Sequence, residues 1–573
     1  MRRYLAKNAV FHSSIILTQM STYRLREKLH EDFLEDLLLA RGVAKDEFGR
    51  FLEPDFAQDS HDPYLLPGME TAVERVLEAL SNNEKVSVWS DYDCDGIPGG
   101  VMLTDFLRTL GLTVRHYIPH RHKEGYGLNT DGLDELKTED VTLVITIDLG
   151  TVEHECIAYA KQNGIDIIVT DHHLVQDVTN LPNAVAIINP KRPDSKYPFD
   201  GLCGAGVAWK LVQAILAKKR PENFGEGQEK WYLDLVGIAT LSDMVPLVDE
   251  NRMLAHFGLK VLRRARRPGL AALLQLLKIK PATLTEDDVG FMISPRINAA
   301  SRMDNPAIAA SMLGAKEKEK GTVFAQQLNK INDERKGVVA SIVKEANKRL
   351  SEMDLAASPL IVLGNPSWRP GVLGLVASKL VEAHGKVVFL WGREGGEVLR
   401  GSCRSDGKAN VVEVMQAAGD VFDHFGGHHA SGGFSINEEK VHELHQKLEE
   451  AYKFADASEE IDEPVLVERE VELEEIPFAL KKLDKLAPFG VGNVKPLFIF
   501  PNVTIAGGKV FGKTANHLEL QFSKGNARIA GIAFFTTGEN FAKKFETGAK
   551  ASVVGHIEKD WRGGPRIRIV DVI

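Results

Sequence analysis

The fold of this chain is decided by Ser90-Asp91-Tyr92-Asp93-Cys94-Asp95-Gly96, where three aspartates follow a strand-like run at residues 85–90. Apolar, β-branched runs at 141–147 and 165–170 also end in acidic residues, with helix-like segments between them. Runs that alternate with helices in this way are typical of a parallel sheet covered on both faces. The sequence therefore predicts an α/β domain that binds its ligands beyond the carboxyl ends of the strands.

Acidic residues and histidines follow three of these predicted strands, and one more acid ends a largely apolar helical run near residue 243. The carboxyl ends of parallel strands meet at one edge of the sheet, where like charges repel at close range unless a cation lies between them. Carboxylate and imidazole ligands together suit Mn²⁺ or Mg²⁺, whereas zinc sites depend more on Cys and His. The residues concerned are Asp91, Asp93, Asp95, Asp148, Asp171, His172, His173 and Asp243.

Two divalent ions that share a carboxylate would activate a water and neutralise the charge of a phosphoryl group, so the expected chemistry is hydrolysis of a phosphoester or phosphoanhydride. The alternative is structural, because a single aspartate after a strand is more often a helix N-cap. Three such groups in consecutive strand–helix units, one of them with two histidines, favour the metal site.

Further segments carry groups that suit phosphate. The glycine-rich segment 201–206 opens a predicted helix, whose N–H groups can bind an anion, although the same glycines suit a tight turn. Arginine offers a planar fork that matches phosphate oxygens. Each remaining candidate either contacts a ligand or lies in a surface loop, and the sequence leaves both interpretations open. These candidates are Arg296, Arg302, Ser402, Arg404, Gly427 and His428.

The composition is that of a multidomain globular protein. The chain has 573 residues and a formal net charge of −10, and its length predicts about three or four domains. Residues 449–475 contain twelve acids and two bases, so the rest of the chain is balanced, and residues 252–280 contain eight bases and no acid. The net charge therefore does not exclude a DNA partner, and the acidic stretch either keeps a strand in its channel or solvates a linker.

The expected cellular location follows from the lack of long apolar runs and of paired cysteines in the sequence. No run of about 18 apolar residues occurs, so neither a membrane span nor a secretory signal is expected. The four cysteines are scattered and form no CxxC pair, which is typical of reduced thiols. We therefore expect a cytoplasmic protein.

These motifs resemble those of the DHH phosphoesterases, and the chain resembles the RecJ branch, exonucleases that degrade single-stranded DNA from the 5′ end. The resemblance covers about residues 60–570 and is carried by Asp93–Gly96, Asp148, Asp171–His173 and Asp243. Supporting segments are 240–252, 295–300, 371–377 and the Gly427-His428 loop.

The resemblance implies an α/β fold class with a parallel-sheet DHH catalytic domain, a long connecting helix, a smaller α/β DHH-associated domain and a C-terminal OB-like β-barrel. The implied domains are an N-terminal helical extension (1–60), the catalytic domain (61–315), the connecting helix (316–352), the DHH-associated domain (353–455) and an OB-like nucleic-acid-binding domain (456–573).

The resemblance also implies roles for the candidate residues. By the family's pattern, one divalent ion is held by Asp95, Asp148, His172 and Asp243, and the other by Asp91, Asp93 and Asp148. His173 faces the scissile phosphate, and Asp171 orients a neighbouring histidine. The resemblance also implies a pocket for a 5′-terminal phosphate, formed by Ser402 and Arg404 with Arg296 or Arg302, and it makes Gly427 and His428 further substrate-binding residues.

The implied function is a metal-dependent 5′-to-3′ exodeoxyribonuclease that is specific for single strands, uses two Mn²⁺ or Mg²⁺ ions, releases nucleoside 5′-monophosphates and acts in DNA repair and recombination. We expect a monomer whose partners are single-stranded DNA with a 5′ end, a helicase and a single-strand-binding protein. The barrel residues expected to contact DNA are Phe511, Lys513, His517, Trp561, Arg562, Arg566 and Arg568.

Three positions depart from the family's pattern, namely Pro98, Leu149 and Arg369, and the first two bear on metal affinity or nucleotide positioning. Two alternative functions remain. One is a DHH phosphodiesterase that acts on short oligoribonucleotides or cyclic dinucleotides, and the other is a non-catalytic scaffold that binds single strands. The barrel and the length argue against the first, and the filled ligand positions argue against the second.

Overall fold

A computed structural model describes residues 23–175, 177–355, 358–453, 464–512, 515–560 and 562–573. The described residues form two compact units, one within Met1–Phe56 and Glu460–Ile573 and the other within Ala57–Glu459. No helix in these ranges is long and apolar enough to cross a membrane.

The α-helices of the described residues are α1 (Phe33–Ala40), α2 (Phe48–Leu52), α3 (Phe56–Asp59), α4 (Met69–Ser81), α5 (Gly96–Leu110), α6 (Thr130–Thr138), α7 (His154–Gln162), α8 (Gly204–Lys218), α9 (Leu233–Ser242), α10 (Asp249–Leu262), α11 (Pro268–Leu276), α12 (Glu286–Asp288), α13 (Ser294–Met303), α14 (Ala307–Gly314), α15 (Lys318–Leu350), α16 (Pro370–His384), α17 (Val411–Ala418), α18 (Leu444–Tyr452) and α19 (Ile476–Leu486).

The strands are β1 (Tyr23–Leu25), β2 (Lys85–Ser90), β3 (Thr113–Tyr117), β4 (Val141–Ile147), β5 (Asp166–Thr170), β6 (Ala186–Ile188), β7 (Leu360–Gly364), β8 (Val387–Gly392), β9 (Leu399–Arg404), β10 (Phe422–His428), β11 (Ser431–Ile436), β12 (Val465–Val467), β13 (Arg469–Glu470), β14 (Phe498–Phe511), β15 (His517–Lys524), β16 (Ala527–Ala533), β17 (Lys550–Lys559) and β18 (Pro565–Val572).

The larger unit contains the predicted parallel sheet. Its strands lie in the order β3-β2-β4-β5-β6, and every neighbouring pair is parallel. The central strand β4 is almost entirely buried, as its continuous apolar sequence requires when helices cover both faces of a sheet. The predicted α/β fold class is confirmed.

A second sheet of the same unit has the order β10-β11-β9-β8-β7, in which only β7 and β8 pair in parallel. The 33-residue helix α15 leads to this sheet, and its length is about 50 Å at 1.5 Å per residue. Buried apolar residues on the last turns of α15 pack in one core cluster with α16, β7 and β8, which anchors the helix to the sheet.

The smaller unit is the predicted barrel, which is confirmed. Strands β14, β15, β16, β18 and β17 pair in that order, and pairing of β14 with β17 closes the ring. The N-terminal helix α1 belongs to this unit, because Phe33, Leu34, Leu37 and Leu38 lie in the barrel's hydrophobic core. Residues 23–56 of the predicted N-terminal extension (1–60) thus belong to the same unit as the barrel. The predicted domain boundaries themselves stay a prediction.

Candidate functional site

Three strands of the parallel sheet bring acidic residues to one edge. The backbone N–H groups of Asp91, Asp148 and Asp171 each donate to the carbonyl of the last residue in the neighbouring strand, at 3.0–3.1 Å. The hydrogen-bond ladder therefore continues one residue beyond β2, β4 and β5. Asp148 has φ +64, a left-handed conformation that turns the chain away directly after β4.

His172 stands at the centre of the carboxylates. Its Nε2 atom lies 3.1 Å from Asp148 Oδ1, 3.7 Å from Asp243 Oδ2 and 3.8 Å from Asp95 Oδ2. The C-terminal end of α9 brings Asp243 to this position. Among the described residues, three sets have ligand atoms within 4.8 Å of one another: Asp95, His172 and Asp243; Asp91, Asp93 and Asp148; and Asp148, His172 and His173.

The electrostatics of this cluster fit divalent cations. Burial, together with repulsion from Asp93, raises the pKa of Asp95 to about 7. Burial and neighbouring carboxylates also raise the pKa of Asp91, Asp148 and Asp243 well above their ordinary values. Asp91 Oδ1 and Asp148 Oδ1 are buried without a hydrogen-bond partner in the described residues. Positive charge at this point would favour the ionised carboxylates and give those oxygen atoms a partner.

Burial lowers the pKa of His172 to about 3, with a smaller contribution from Lys191. The imidazole is therefore neutral, which is the form that binds a metal. The donor set of carboxylates and one or two imidazoles fits Mn²⁺ or Mg²⁺, because sites for softer metals add thiolate ligands. Cys94 and Cys203 are buried nearby, and burial raises the pKa of the Cys94 thiol to about 12, so that thiol stays protonated.

Asp95 is held by the start of α8. The N–H groups of Gly204 and Ala205 donate to its two carboxylate oxygens at 2.6 and 2.8 Å. Of the two interpretations of the glycine-rich segment 201–206, the phosphate site is therefore wrong, because these donors already bind a carboxylate. A Cβ atom on Gly204 would lie 2.6 Å from Asp148 Cβ, so glycine is required for this close approach.

Asn251 connects the two loops that border the cluster. Its buried side-chain amide donates to the carbonyl oxygen of Gly201 at 2.6 Å and to that of Pro246 at 3.0 Å. One loop leads into α8, which holds Asp95, and the other follows Asp243. The sequence offered no separate signal for this role, because a buried amide on α10 looks like any helix residue.

Asp171 orients His173. Its Oδ1 atom accepts from His173 Nδ1 at 2.7 Å, and its Oδ2 atom accepts from the N–H of Thr151 at 3.0 Å. Burial alone would raise the pKa of Asp171, but the hydrogen bonds from His173 and Thr151 hold it below its ordinary value. Burial would lower the pKa of His173, but the bond to Asp171 raises it. Within the described ranges His173 Nε2 forms no hydrogen bond, so this edge of the ring is open to another contact.

Arginine side chains converge where α13 meets α16. Arg302 Nη1 donates to the Gly371 carbonyl at 3.1 Å, and Arg404 Nη1 donates to the Cys403 carbonyl at 2.7 Å. A Cβ atom on Gly374 would lie 2.7 Å from Arg404 Nη2 and 3.5 Å from Ser402 Oγ, so these groups share one space at the start of α16.

Burial, with repulsion from Arg121 and Arg404, lowers the pKa of Arg302 to about 9, and Asp93 acts in the opposite direction. Burial also lowers the pKa of Arg404. The influence of Asp93 shows that this arginine pocket adjoins the carboxylate cluster. An anionic group placed here would relieve the repulsion between guanidinium groups.

Sequence profiles of known families match three parts of the chain. They are the DHH family N-terminal domain at residues 85–240, the DHHA1 domain at 355–453 and the RecJ OB domain at 467–570. The single-stranded-DNA-specific exonuclease RecJ of Bacillus subtilis is 32% identical over 96% of this chain and 69% of its own length. The protein of that name from Haemophilus influenzae is 31% identical over 82% of this chain and 84% of its own length.

This chain belongs to the RecJ family. The predicted resemblance is confirmed. Two solved RecJ structures are similar to it. RecJ of Thermus thermophilus in complex with Mn²⁺ has a TM-score of 0.77 and 25% identity, and covers 96% of this chain and 79% of its own. An exonuclease RecJ bound to manganese has a TM-score of 0.60 and 30% identity, with coverage of 69% and 97%.

The residues predicted for the substrate pocket of this RecJ-family chain are not all found together. Arg296 contacts other parts of the protein, and His428 is located by its strand pairing. Arg296 donates to Asn329 Oδ1 at 3.0 Å and to the Met292 carbonyl at 2.6 Å, so it connects α13 to α15. Of the two arginines left open by the sequence, Arg302 is therefore the one beside Arg404, and a role in substrate binding stays a prediction for both. In the second sheet, His428 pairs with Ser431, which pairs with Arg404, and this row gives the three side chains one face.

Gly427, beside His428, has φ +152, and a Cβ atom there would lie 2.3 Å from the Ser431 carbonyl oxygen. Glycine therefore allows β10 and β11 to approach closely.

Sequence reasoning missed Arg121 and Tyr126, in the loop after β3. Arg121 lies 5.0 Å from the centre of the Tyr92 ring, and Tyr126 donates to the Asp148 carbonyl at 3.1 Å. Their position after a strand of the parallel sheet was the signal that would have found them.

The departures from the RecJ pattern have structural roles. Leu149 is fully buried in the core that covers one face of the sheet. Pro98 lies buried in the first turn of α5, where a proline costs little because the first N–H groups of a helix have no intrahelical partner. Arg369 forms an ion pair with Glu394 and donates to the Met303 carbonyl at 3.3 Å.

The barrel unit, taken by itself, carries an aromatic and basic surface. The His517 ring lies 5.0–5.5 Å from the rings of Phe511, Phe534 and Phe535, and Phe535 is 62% exposed. Arg566 and Arg568 lie 6.0 and 5.7 Å from the centre of the Phe534 ring. Four predicted DNA-contacting residues thus come together, whereas Lys513, Trp561 and residues 454–463 of the acidic stretch lie outside the described residues.

Proposed function

We propose that this chain is a metal-dependent, single-strand-specific DNA exonuclease that acts from the 5′ end and releases nucleoside 5′-monophosphates. The observation that carries the proposal is the buried carboxylate–histidine cluster with the arginine pocket beside it. Membership of the RecJ family supports it, since the relatives are named single-stranded-DNA-specific exonucleases.

Asp95, His172 and Asp243 with Asp148 would hold one divalent ion, and Asp91, Asp93 and Asp148 would hold the other. Mn²⁺ and Mg²⁺ are the candidates, because both are named for solved RecJ structures with this fold. When bound, the ions supply a water of lowered pKa and positive charge for the phosphoryl oxygens.

The protein's own groups would position the strand around this centre. The N–H groups of Gly204 and Ala205 keep the Asp95 carboxylate in place. Asp171 accepts from His173 Nδ1 and raises the pKa of the ring, so that in its protonated form the ring could also donate from Nε2 to a non-bridging oxygen of the scissile phosphate. A fixed ring avoids reorganisation when charge develops on that phosphate.

Arg302 and Arg404, with Ser402, would bind the 5′-terminal phosphate, because guanidinium groups match phosphate oxygens in geometry and charge. A chain end carries one more ionisable oxygen than an internal phosphate, and a pocket of mutually repelling cations favours the group with more negative charge. Recognition of a chain end in a pocket beside the cluster would account for removal of one nucleotide at a time.

The barrel's aromatic and basic surface supports the preference for single strands, since unpaired bases stack on exposed rings. We extend the proposal to a monomeric, cytoplasmic enzyme of DNA repair and recombination that works with a helicase and a single-strand-binding protein. Gel filtration with light scattering tests the monomer, and co-purification from native extracts tests the partners.

The decisive experiment compares a 5′-phosphorylated 40-mer DNA strand, the same strand in a duplex, and a diribonucleotide, each with Mn²⁺. We expect mononucleotides from the single strand only. Asp148→Ala should abolish hydrolysis, while Asp131→Ala, at an exposed position on α6, should leave it unchanged. Faster hydrolysis of the diribonucleotide would indicate a phosphodiesterase, and DNA binding without hydrolysis would indicate a scaffold.

A further inference from the structure

Exposed cations lie at or just beyond the C-terminal ends of α10 and α11, on the side of α9 and α10 that is remote from the metal centre. We call this cluster the basic surface, and it consists of Lys260, Arg263, Arg264, Arg266, Lys278 and Lys280. Helices α9 and α10 are antiparallel, because a Cβ atom on Gly258, late in α10, would lie 2.8 Å from the carbonyl oxygen of Leu233, the first residue of α9. Asp243 follows the ten residues of α9, so the basic surface is about 15 Å from it.

The cations of this surface have few acids near them. One is Asp234, whose pKa is raised by burial but lowered by the charges of Arg267 and Arg266. In the part of the chain that the structure describes, none of the six side chains forms an ion pair, whereas the neighbouring Arg267 pairs with Asp234 at 2.7 Å. An acid close in sequence, Asp288, accepts instead from Thr285. Like charges left together in this way repel one another, and a polyanionic ligand would relieve that repulsion.

The surface also contains an ordered aromatic group. Trp231 is 42% exposed, and the guanidinium carbon of Arg266 lies 3.9 Å from the centre of its ring, within stacking distance. Arg263 Nε donates to the Leu284 carbonyl at 2.9 Å, which holds the end of α10 against the turn that begins after Lys280. The Arg263 hydrogen bond therefore joins the segments that carry the cations, and stacking on Trp231 already restricts the Arg266 side chain. Less conformational freedom of these two arginines is lost when a ligand binds.

We infer that the basic surface binds the sugar–phosphate backbone of the DNA strand on the 3′ side of the nucleotides in the active site. The inference rests on the proposed function, because its occupant is the downstream part of the strand whose 5′ end is being removed. Lysines and arginines beside a stacking ring are the groups by which proteins bind single strands without sequence preference. An acidic peptide would match the charge but has no base to stack beside Trp231.

The test removes four of the charges by the combined substitutions Lys260→Gln, Arg264→Gln, Lys278→Gln and Lys280→Gln. A matched control removes four exposed lysines that also lack ion pairs in the described residues: Lys161, Lys219, Lys344 and Lys348, each to Gln. Binding of 5′-phosphorylated oligo-dT of 4 and 40 nucleotides is measured over a range of salt concentrations, without divalent ions.

For the 40-mer, we expect the slope of log K against log salt concentration to fall by about 0.7 for each phosphate that is no longer neutralised, or nearly 3 for four. The 4-mer, too short to span both sites, should bind and be hydrolysed with Mn²⁺ as by the unaltered protein. The control variant should keep the original slope. Equal slopes for the basic-surface variant and the unaltered protein would overturn the inference.

Polyglutamate serves as a probe for the other class of partner. If it binds the unaltered protein but not the basic-surface variant, and the slopes for the 40-mer are equal, the surface is a protein-docking site and the DNA inference is overturned. Failure of the proposed function is distinct, because then the unaltered protein would not hydrolyse even the 4-mer, while the salt slopes would still report on the basic surface.

Discussion

Replacement of Gly204 by alanine tests the metal centre through a steric conflict at one position. The added Cβ would lie 2.6 Å from Asp148 Cβ and 2.9 Å from Asp148 Cα, whereas ordinary contacts begin at 3.4 Å. Either Asp148 or the start of α8 must therefore move by about 0.8 Å. If α8 moves, Asp95 moves with it, because the Gly204 N–H donates to its carboxylate. Both responses displace a proposed metal ligand.

A misplacement of about 1 Å in a catalytic site lowers rates by about 100-fold, which corresponds to about 2.7 kcal/mol in the activation free energy. We therefore expect kcat/KM of Gly204→Ala to fall by roughly that factor, with Mn²⁺ affinity at least about tenfold weaker. The assay is titration calorimetry with Mn²⁺, together with hydrolysis of a 5′-phosphorylated single strand. Thermal unfolding shows whether the variant remains folded.

Gly206→Ala is the matched control, in the same turn of α8. A Cβ atom there would meet its nearest neighbour, Leu202 Cβ, at an ordinary 3.5 Å. This variant should keep its metal affinity and gain up to about 1 kcal/mol in unfolding free energy from the better helix propensity of alanine. If Gly204→Ala binds Mn²⁺ and hydrolyses DNA as well as Gly206→Ala does, Asp148 and Asp95 are not the ligands proposed here.

Three further predictions concern other parts of the molecule. Asn251→Ala should weaken Mn²⁺ binding by about 10- to 100-fold, because the amide that donates to both loops beside the metal centre is removed. Unchanged Mn²⁺ affinity in calorimetry would show that the two loops keep their positions without this amide. Arg404→Gln should lower kcat/KM at least about tenfold for a 5′-phosphorylated strand and leave a 5′-hydroxyl strand unaffected; equal losses on both strands would argue against a phosphate contact. Asp36→Asn should destabilise the barrel unit by about 3 kcal/mol at pH 7, measured by hydrogen exchange of barrel peptides. Burial would raise the pKa of Asp36, but hydrogen bonds from Arg26 hold it below its ordinary value, so this stabilisation is present above about pH 4 and is lost as the pH falls through the folded-state pKa. A difference between the two proteins that stays constant as the pH is lowered from 7 to the onset of acid unfolding would contradict this cause.

The strands and the acids that follow them were predictable because both signals are local. Continuous β-branched runs indicate buried strands, and an acid directly after each run must lie at the edge where parallel strands end. Asp148 and Asp171 were therefore placed correctly relative to each other without any knowledge of side-chain contacts. The C-terminal barrel, in contrast, was predicted from the resemblance to the RecJ branch.

Other parts of the site depended on contacts between residues far apart in the chain. The sequence left Arg296 and Arg302 equivalent, although one binds Asn329 on α15 and the other lies in the arginine pocket. Asp95 meets the N–H of Gly204, which is 109 positions away, and Arg26 meets Glu468 across 442 positions. No periodicity or spacing records such pairs.

The sequence by itself therefore determined the α/β class and the set of acids from which the proposed metal centre is built, because these depend on hydrophobic pattern and on strand ends, and the resemblance to the RecJ branch added the barrel. Only the tertiary structure decided which donors hold Asp95, which arginine faces the carboxylates and where the N-terminal helix is buried. The physical reason is that a carboxylate, a helix N-terminus and a guanidinium group can each pair with many partners, and packing alone selects one of them.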